Sequence, residues 1–334
     1  MKKTNEKIEL PLMKPLYSTY HHQGVATAIL ASNPSIRNWY LNEATILTCL
    51  PNFLKGYTSP EITIMHSSWN AIPYFDKKHY DMKYLGGYVH FVIQNLLNDG
   101  YYVYFQGPDD FYMEGKSWYH AHHFFHDGCI CGYDRENKTY CIYAYDQNWI
   151  YQKFWTPQKA FDAGRIAGIE NGKRNYIYGI KPQDIQLDFS PETALKRIAE
   201  YLDSDMTKYP EASEKRIYGT VVHDYIVKYL DMLFNGLIPY EKLDRRVFRV
   251  IWEHKAAMLE RIERIEADLQ LDHAISRAYR AVVQEADACR MLYASHQLKQ
   301  RNSLLPMIQK KLLALKAEEE TLLKELLTKG TTKP

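Results

Sequence analysis

Apolar and polar positions follow two different rhythms along this chain, and the change comes near Lys181. Before it, short apolar runs are interrupted by Gly, Pro and Asn/Asp. "YVHFVIQNLLNDG" has helical spacing and a closing glycine, whereas "YYVYFQ" reads as a strand rich in aromatics. "FFHDGCICGYD", "TYCIYAYD" and "YIYGI" form a set of strands, the first two joined by the turn "DRENKT". A helix followed by a meander of antiparallel strands is an α+β pattern rather than repeated βαβ.

After Lys181 the period becomes 3.6. In "DFSPETALKRIAEYL", Ser190 is placed to cap, Pro191 to occupy the first helical position and Glu192 to complement the helix dipole. Helices follow in "SEKRIYGTVVHDYIVKYLDMLFNG", from Glu241 to about Gln270, in "DHAISRAYRAVVQEADACRMLYASHQLKQ" and in "PMIQKKLLALKAEEETLLKELL". Opposite charges four apart, such as Glu260 and Arg264, read as solvated faces, and the tail "TKGTTKP" as disordered. The expected architecture is an α+β domain over residues 1–183 and an all-helical bundle over residues 184–334, through which two copies of the chain could pair.

Composition narrows the partners. With 42 basic and 40 acidic residues, net charge +2, there is no global field to attract nucleic acid or an anionic membrane. No run of 18 apolar residues indicates a spanning helix, and "MKKTNEKIELPLMKP" lacks the apolar core of a signal peptide, so a cytoplasmic location is expected. Five cysteines without metal-finger spacing are expected to be reduced, Cys129 and Cys131 as core filling. Twenty-eight tyrosines, concentrated before about residue 180, suggest a cleft lined with rings that carry a polar tip.

Candidate chemistry concentrates in "WYHAHHFFHDGCICGYD". His120, His122 and His126 would share a strand face, but the first and last lie roughly 20 Å apart at about 3.3 Å per residue, too far to converge on one ion. No metal and no cofactor are expected. A dyad is the sharper reading: His126 begins one strand, Asp146 ends the next, and cross-strand pairing could let the carboxylate orient the imidazole as a general base. Trp118, Tyr119 and His123 are expected to line the substrate path.

The other half of such a site would come from "STYHHQGVATAILA", where polar residues run straight into an apolar helix former. This helix-opening segment, followed by "HDGCICGYDRENKTYCIYAYD" with His126 and Asp146 twenty residues apart, resembles the papain-like cysteine peptidase fold. It is similar in particular to the N-terminal domain of butirosin-type acyltransferases of aminoglycoside and nonribosomal peptide gene clusters. The resemblance covers roughly residues 15–180 and implies His126 as base, Asp146 as its orienter and a helical region behind. It also implies a cysteine at the helix N-terminus, where dipole and imidazolium favour thiolate.

No cysteine is there. The position corresponding to it is His22, Gln23 or Gly24, or an alanine in its place at Ala26 or Ala28. Thr27 carries a hydroxyl that would need a dedicated base, and Cys49, at the far end of the helical-looking "NEATILTCL", reads as core. Two functions are thus expected from the resemblance. One is an amide-forming acyltransferase of secondary-metabolite biosynthesis, taking an acyl or peptidyl group from a carrier-protein thioester to a small-molecule amine. The other is an inactive relative that binds a peptide or metabolite.

Overall fold

The computed structural model describes residues 6–56, 59–205 and 215–331. In chain order the first half contains β1 (Lys7–Glu9), α1 (His21–Leu30), α2 (Pro34–Glu43), β2 (Leu47–Cys49), β3 (Thr63–Ile64), β4 (Phe75–Asp81), α3 (Met82–Leu85) and α4 (Val89–Asn98), then β5 (Tyr102–Asp109), β6 (Phe125–Asp134), β7 (Thr139–Tyr145), β8 (Tyr151–Pro157), α5 (Gln158–Glu170) and β9 (Tyr176–Pro182). The second half contains α6 (Pro191–Asp203), β10 (Ile217–Tyr218), α7 (Val222–Phe234), α8 (Val247–Asp268), α9 (Ala274–Lys299) and α10 (Leu304–Thr331). Of the helix expected over "SEKRIYGTVV", Ser213 and Glu214 lie outside the described residues and residues 217–218 are strand; of the tail expected to be disordered, Thr328–Thr331 complete α10 and Thr332–Pro334 lie outside the described residues.

Contacts divide the chain into two compact units, residues 1–37 with 68–186 and residues 38–67 with 187–334. The switch near residue 186 agrees with the composition change, but residues 38–67, expected in the first domain, join the helical unit. Their partners explain this. Arg261 of α8 donates to the carbonyls of Leu41 and Ala44, and β2 pairs with β10 through Ile217↔Cys49 and Tyr218↔Thr48. Cys49 therefore ends a buried strand rather than a helix, because α2 stops at Glu43.

The first unit is built on an antiparallel sheet in the order β4-β9-β5-β6-β7-β8, with β1 added against β6. Alternation assigns the two faces. Val103, Phe105, Ile130, Ile142 and Ile177 share a core with Ile93, Leu96 and Leu97 of α4 and Phe161 of α5. Tyr104 and Cys129 point the other way by pleat parity. Gly24 lets α1 approach β8: a Cβ there would stand 2.6 Å from the Tyr151 ring.

The second unit packs five long helices around a buried polar centre. Lys255 and Glu319, both without solvent exposure, pair at 2.6 Å, and the Tyr201 and Tyr279 hydroxyls donate to the same carboxylate. His254 Nε2 donates to the Thr45 carbonyl at 2.8 Å and His223 Nδ1 to the Thr220 carbonyl at 2.9 Å. Burial first, and then the Lys255 ammonium, hold both imidazoles well below the usual histidine range.

A pH dependence follows, with a definite sign. The unfolded chain takes up protons below about pH 6.5 that the folded imidazoles refuse, so stability is complete above that pH and falls as pH drops toward the folded values. The expected loss is about 1.4 kcal/mol per pH unit for each histidine across that window. Thermal melts from pH 7.5 to 5.0 should show a falling Tm for the parent and a shallower fall for His254→Gln. Parallel curves for the two proteins would show that His254 takes up protons in the folded state.

Candidate functional site

α1 begins at His21, preceded by an extended Tyr20 whose carbonyl accepts from the Gln23 and Gly24 amides. Its first side chain is buried against β6. His21 Nδ1 lies 2.7 Å from the backbone oxygen of Asp127 and 2.9 Å from Asp127 Oδ1. Both neighbours are acceptors, so Nδ1 carries the proton, and the buried Nε2 is left as a bare lone pair without a hydrogen-bond partner among the described residues. Burial is the main cause holding the His21 pKa below the usual value, although Asp127 works against it.

His126 stands beside it, ring centroids 4.6 Å apart, with its side chain about a third exposed. Its Nε2 lies 3.3 Å from Asp127 Oδ1 and its Nδ1 lies 3.7 Å from Asp110 Oδ2. Asp127 is the hub. Its other oxygen accepts from the Tyr104 hydroxyl, and although burial opposes ionisation, His21, His126 and Tyr104 together hold the carboxyl well below the usual range. Fully buried Lys116 completes the group, 3.1 Å from Asp110 Oδ1 and donating at 2.7 Å to the Asp127 carbonyl. A cavity of about 330 Å³, bordered by Gln106, Gly107, Phe125, Lys173 and Arg174, opens on His126 and Asp127.

The expected His126–Asp146 pair is not formed. The hairpin register, Cys129↔Tyr143 and Ile130↔Ile142, would place residues 126 and 146 opposite one another if it continued, but the ladder ends at Cys129. Beyond that point β6 stays with β5 through Asp127↔Gln106, while the end of β7 bridges to Lys116 instead. Lys116 enters the opening. The Asp146 carboxylate turns back on its own loop, accepting from the amides of Asn148 and Ile150 and from Gln152 Nε2. Among the described residues, the carboxylates near His126 are those of Asp127 and Asp110 rather than Asp146.

The segment of α1 assigned to the nucleophile is one residue out of step, since the side chain that meets His126 is His21. Gln23, Gly24, Ala26, Thr27 and Ala28 are buried in the helix packing, and the half-buried His22 stacks on Tyr20. Thr27 donates its hydroxyl to the carbonyls of Tyr17 and Gln23 and accepts from the Tyr17 amide, which removes it as a nucleophile. All five cysteines are buried, and burial pushes Cys49 up to about 12.

The aromatic residues expected along the path divide. Trp118 sits close to Phe124, whose ring is 4.6 Å from His126. Tyr119 stacks on His120, and His123 binds Asp109 at 2.6 Å while stacking on Phe111. Sequence reasoning missed Asp110, Lys116 and the roles of His21, Asp127 and Tyr104. The doubled histidine at the helix start was the available signal for His21, whereas Lys116 lies in an irregular segment with no periodicity to mark it.

His21, His126 and Asp127 also have ligand atoms within 4.8 Å of one another and are the residues that could hold a metal ion. His21 Nε2, without a hydrogen-bond partner among the described residues, is the ring nitrogen placed to ligate while Nδ1 is held by the Asp127 carbonyl, and the Lys116 ammonium on that same carbonyl opposes a second cation nearby. No family model matches the chain, and no match is found among curated proteins.

Proposed function

We propose that the first unit is a papain-like acyl-transfer domain in which His126, rather than a thiol, activates the attacking group. The observation that supports this reading is the placement of a partly exposed imidazole at a cavity wall, held between two carboxylates and set against the amino end of a buried helix. Nε2 lies 3.3 Å from Asp127 and Nδ1 3.7 Å from Asp110, so one ring nitrogen keeps its proton against a carboxylate while the other takes the proton of the amine. An amine attacks the carbonyl of a carrier-bound acyl or peptidyl thioester as His126 removes its proton, forming the C–N bond. The C–S bond then breaks, and the proton on His126 goes to the leaving thiolate, giving amide and thiol. A thioester is already activated, so positioning and a base supply much of what a covalent nucleophile would add. The partial positive charge at the start of α1 favours the oxyanion of the intermediate.

The test uses an N-acetylcysteamine thioester with an amine acceptor and follows thiol release. Release above the uncatalysed rate that depends on His126 is the expected result. The buried cysteines and tied Thr27 favour a second reading, a binding domain, under which the thioester or its acyl group binds with no release above background.

His21→Cys supplies a sharper check on the papain-like arrangement. A thiol at the first position of α1, beside His126 and at the positive end of the helix, should react with iodoacetamide faster than Cys49, which burial pushes up to about 12. Equal or slower alkylation would show that this helix end merely packs.

A further inference from the structure

Resting on the acyl-transfer reading, we propose that Trp149, Trp118 and Phe124 form an aryl-binding platform leading to His126, and that Asp146 is the positioning residue that builds it. The rings make a continuous series. Trp149 meets Trp118 edge-on at 5.0 Å, Trp118 lies 6.0 Å from Phe124, and Phe124 lies 4.6 Å from His126. Trp149 is half exposed and Phe124 over a third exposed, so the series presents apolar ring surface to solvent and reaches His126 through Phe124. Exposed rings grouped beside a candidate base offer a surface on which a ligand ring can stack.

The loop that carries Trp149 is held in an unfavourable shape. Trp149 has φ +59, a left-handed conformation that a bulky side chain rarely adopts. The Trp149 amide donates to the Asp146 carbonyl, and the Asp146 amide donates to the Ile150 carbonyl. The nearly buried Asp146 carboxylate then takes the Asn148 and Ile150 amides on one oxygen and Gln152 on the other. Four hydrogen-bond donors and acceptors of one residue are spent on a turn whose product is an exposed indole. The geometry is that of a short hairpin loop between β7 and β8, a type I turn closed by a left-handed residue, and it turns the Trp149 indole outward beside Trp118.

Two indoles and a phenyl ring select a flat aromatic group by offset or edge-to-face stacking. The occupant assigned is therefore the aryl portion of the acyl donor, with its thioester carbonyl at His126. An aliphatic chain would gain contact area but no stacking.

The experiment titrates the full-length His126→Gln variant, which cannot use His126 as a base, with phenylacetyl, hexanoyl and acetyl thioesters of N-acetylcysteamine, read by tryptophan fluorescence and calorimetry. The phenylacetyl compound should bind about tenfold more tightly than the acetyl compound and more tightly than the hexanoyl one. Adding Trp149→Ala should bring that ratio close to one. Asp146→Ala should do the same without touching ligand, whereas Asp146→Asn, which keeps an acceptor for the two amides, should retain most of the preference. Equal affinity across the three acyl groups, or an unchanged ratio in the Trp149→Ala background, would overturn the platform. Because this is a binding measurement, aryl preference without thiol release by the parent would sink the acyl-transfer reading and leave the platform standing.

Discussion

Replacing His126 with glycine should lower thioester aminolysis by about 10²–10⁴-fold, the usual contribution of a positioned general base. The side chain is the one imidazole of the site that combines solvent access with a place on the cavity wall, since His21 is buried and its Nδ1 is occupied. Added imidazole should restore part of the rate, because the 330 Å³ cavity beside residue 126 admits a ring of that size. Rescue separates chemistry from folding: a structural role for His126 would give loss without recovery. Asp127→Asn should also reduce the rate, as the amide cannot supply the negative charge that His126 needs once protonated. Undiminished turnover in His126→Gly would remove the base from the proposal altogether.

Lys116→Met should destabilise the protein by about 3–5 kcal/mol, the range for stranding one partner of a buried ion pair. Lys116 and Asp110 have no solvent exposure, and neither Asp110 oxygen makes a hydrogen bond of normal geometry, so the ammonium is the main compensation for that carboxylate. The same ammonium satisfies the Asp127 carbonyl at the point where β6 and β7 part. The paired replacement Lys116→Met with Asp110→Leu should regain much of the loss, since an apolar pair of similar volume avoids the uncompensated charge. Urea unfolding of the two single variants and the double variant measures this directly. Additive losses would mean that the two groups do not interact.

What the sequence made legible were features with local causes. Helical spacing and capping marked α4 and α6 closely, down to the Ser190 hydroxyl accepting from the Thr193 amide. Alternation and a turn marked β6 and β7, and His126 was found because it opens that hairpin. The error at Asp146 came from the same rule applied too far. Register predicts who faces whom only while the ladder lasts, and an unpatterned segment containing Lys116 ends it. His21 meets Asp127 across 106 residues of chain, and no local pattern encodes that encounter. The 38–67 segment was misassigned for the same reason, its decisive partners being Arg261 and the strand at Ile217–Tyr218.

That discontinuous helical unit has a consequence for synthesis on the ribosome. Leu41 must wait for Arg261, a separation of 220 residues. At elongation rates of about 5–20 residues per second, the interval is roughly 10–40 s. For most of it, the apolar strand Leu47–Cys49 has emerged without its partner strand at Ile217–Tyr218. The nascent chain is thus most exposed to aggregation and to chaperone capture in its early middle, and slowing translation downstream of residue 67 would prolong that exposure.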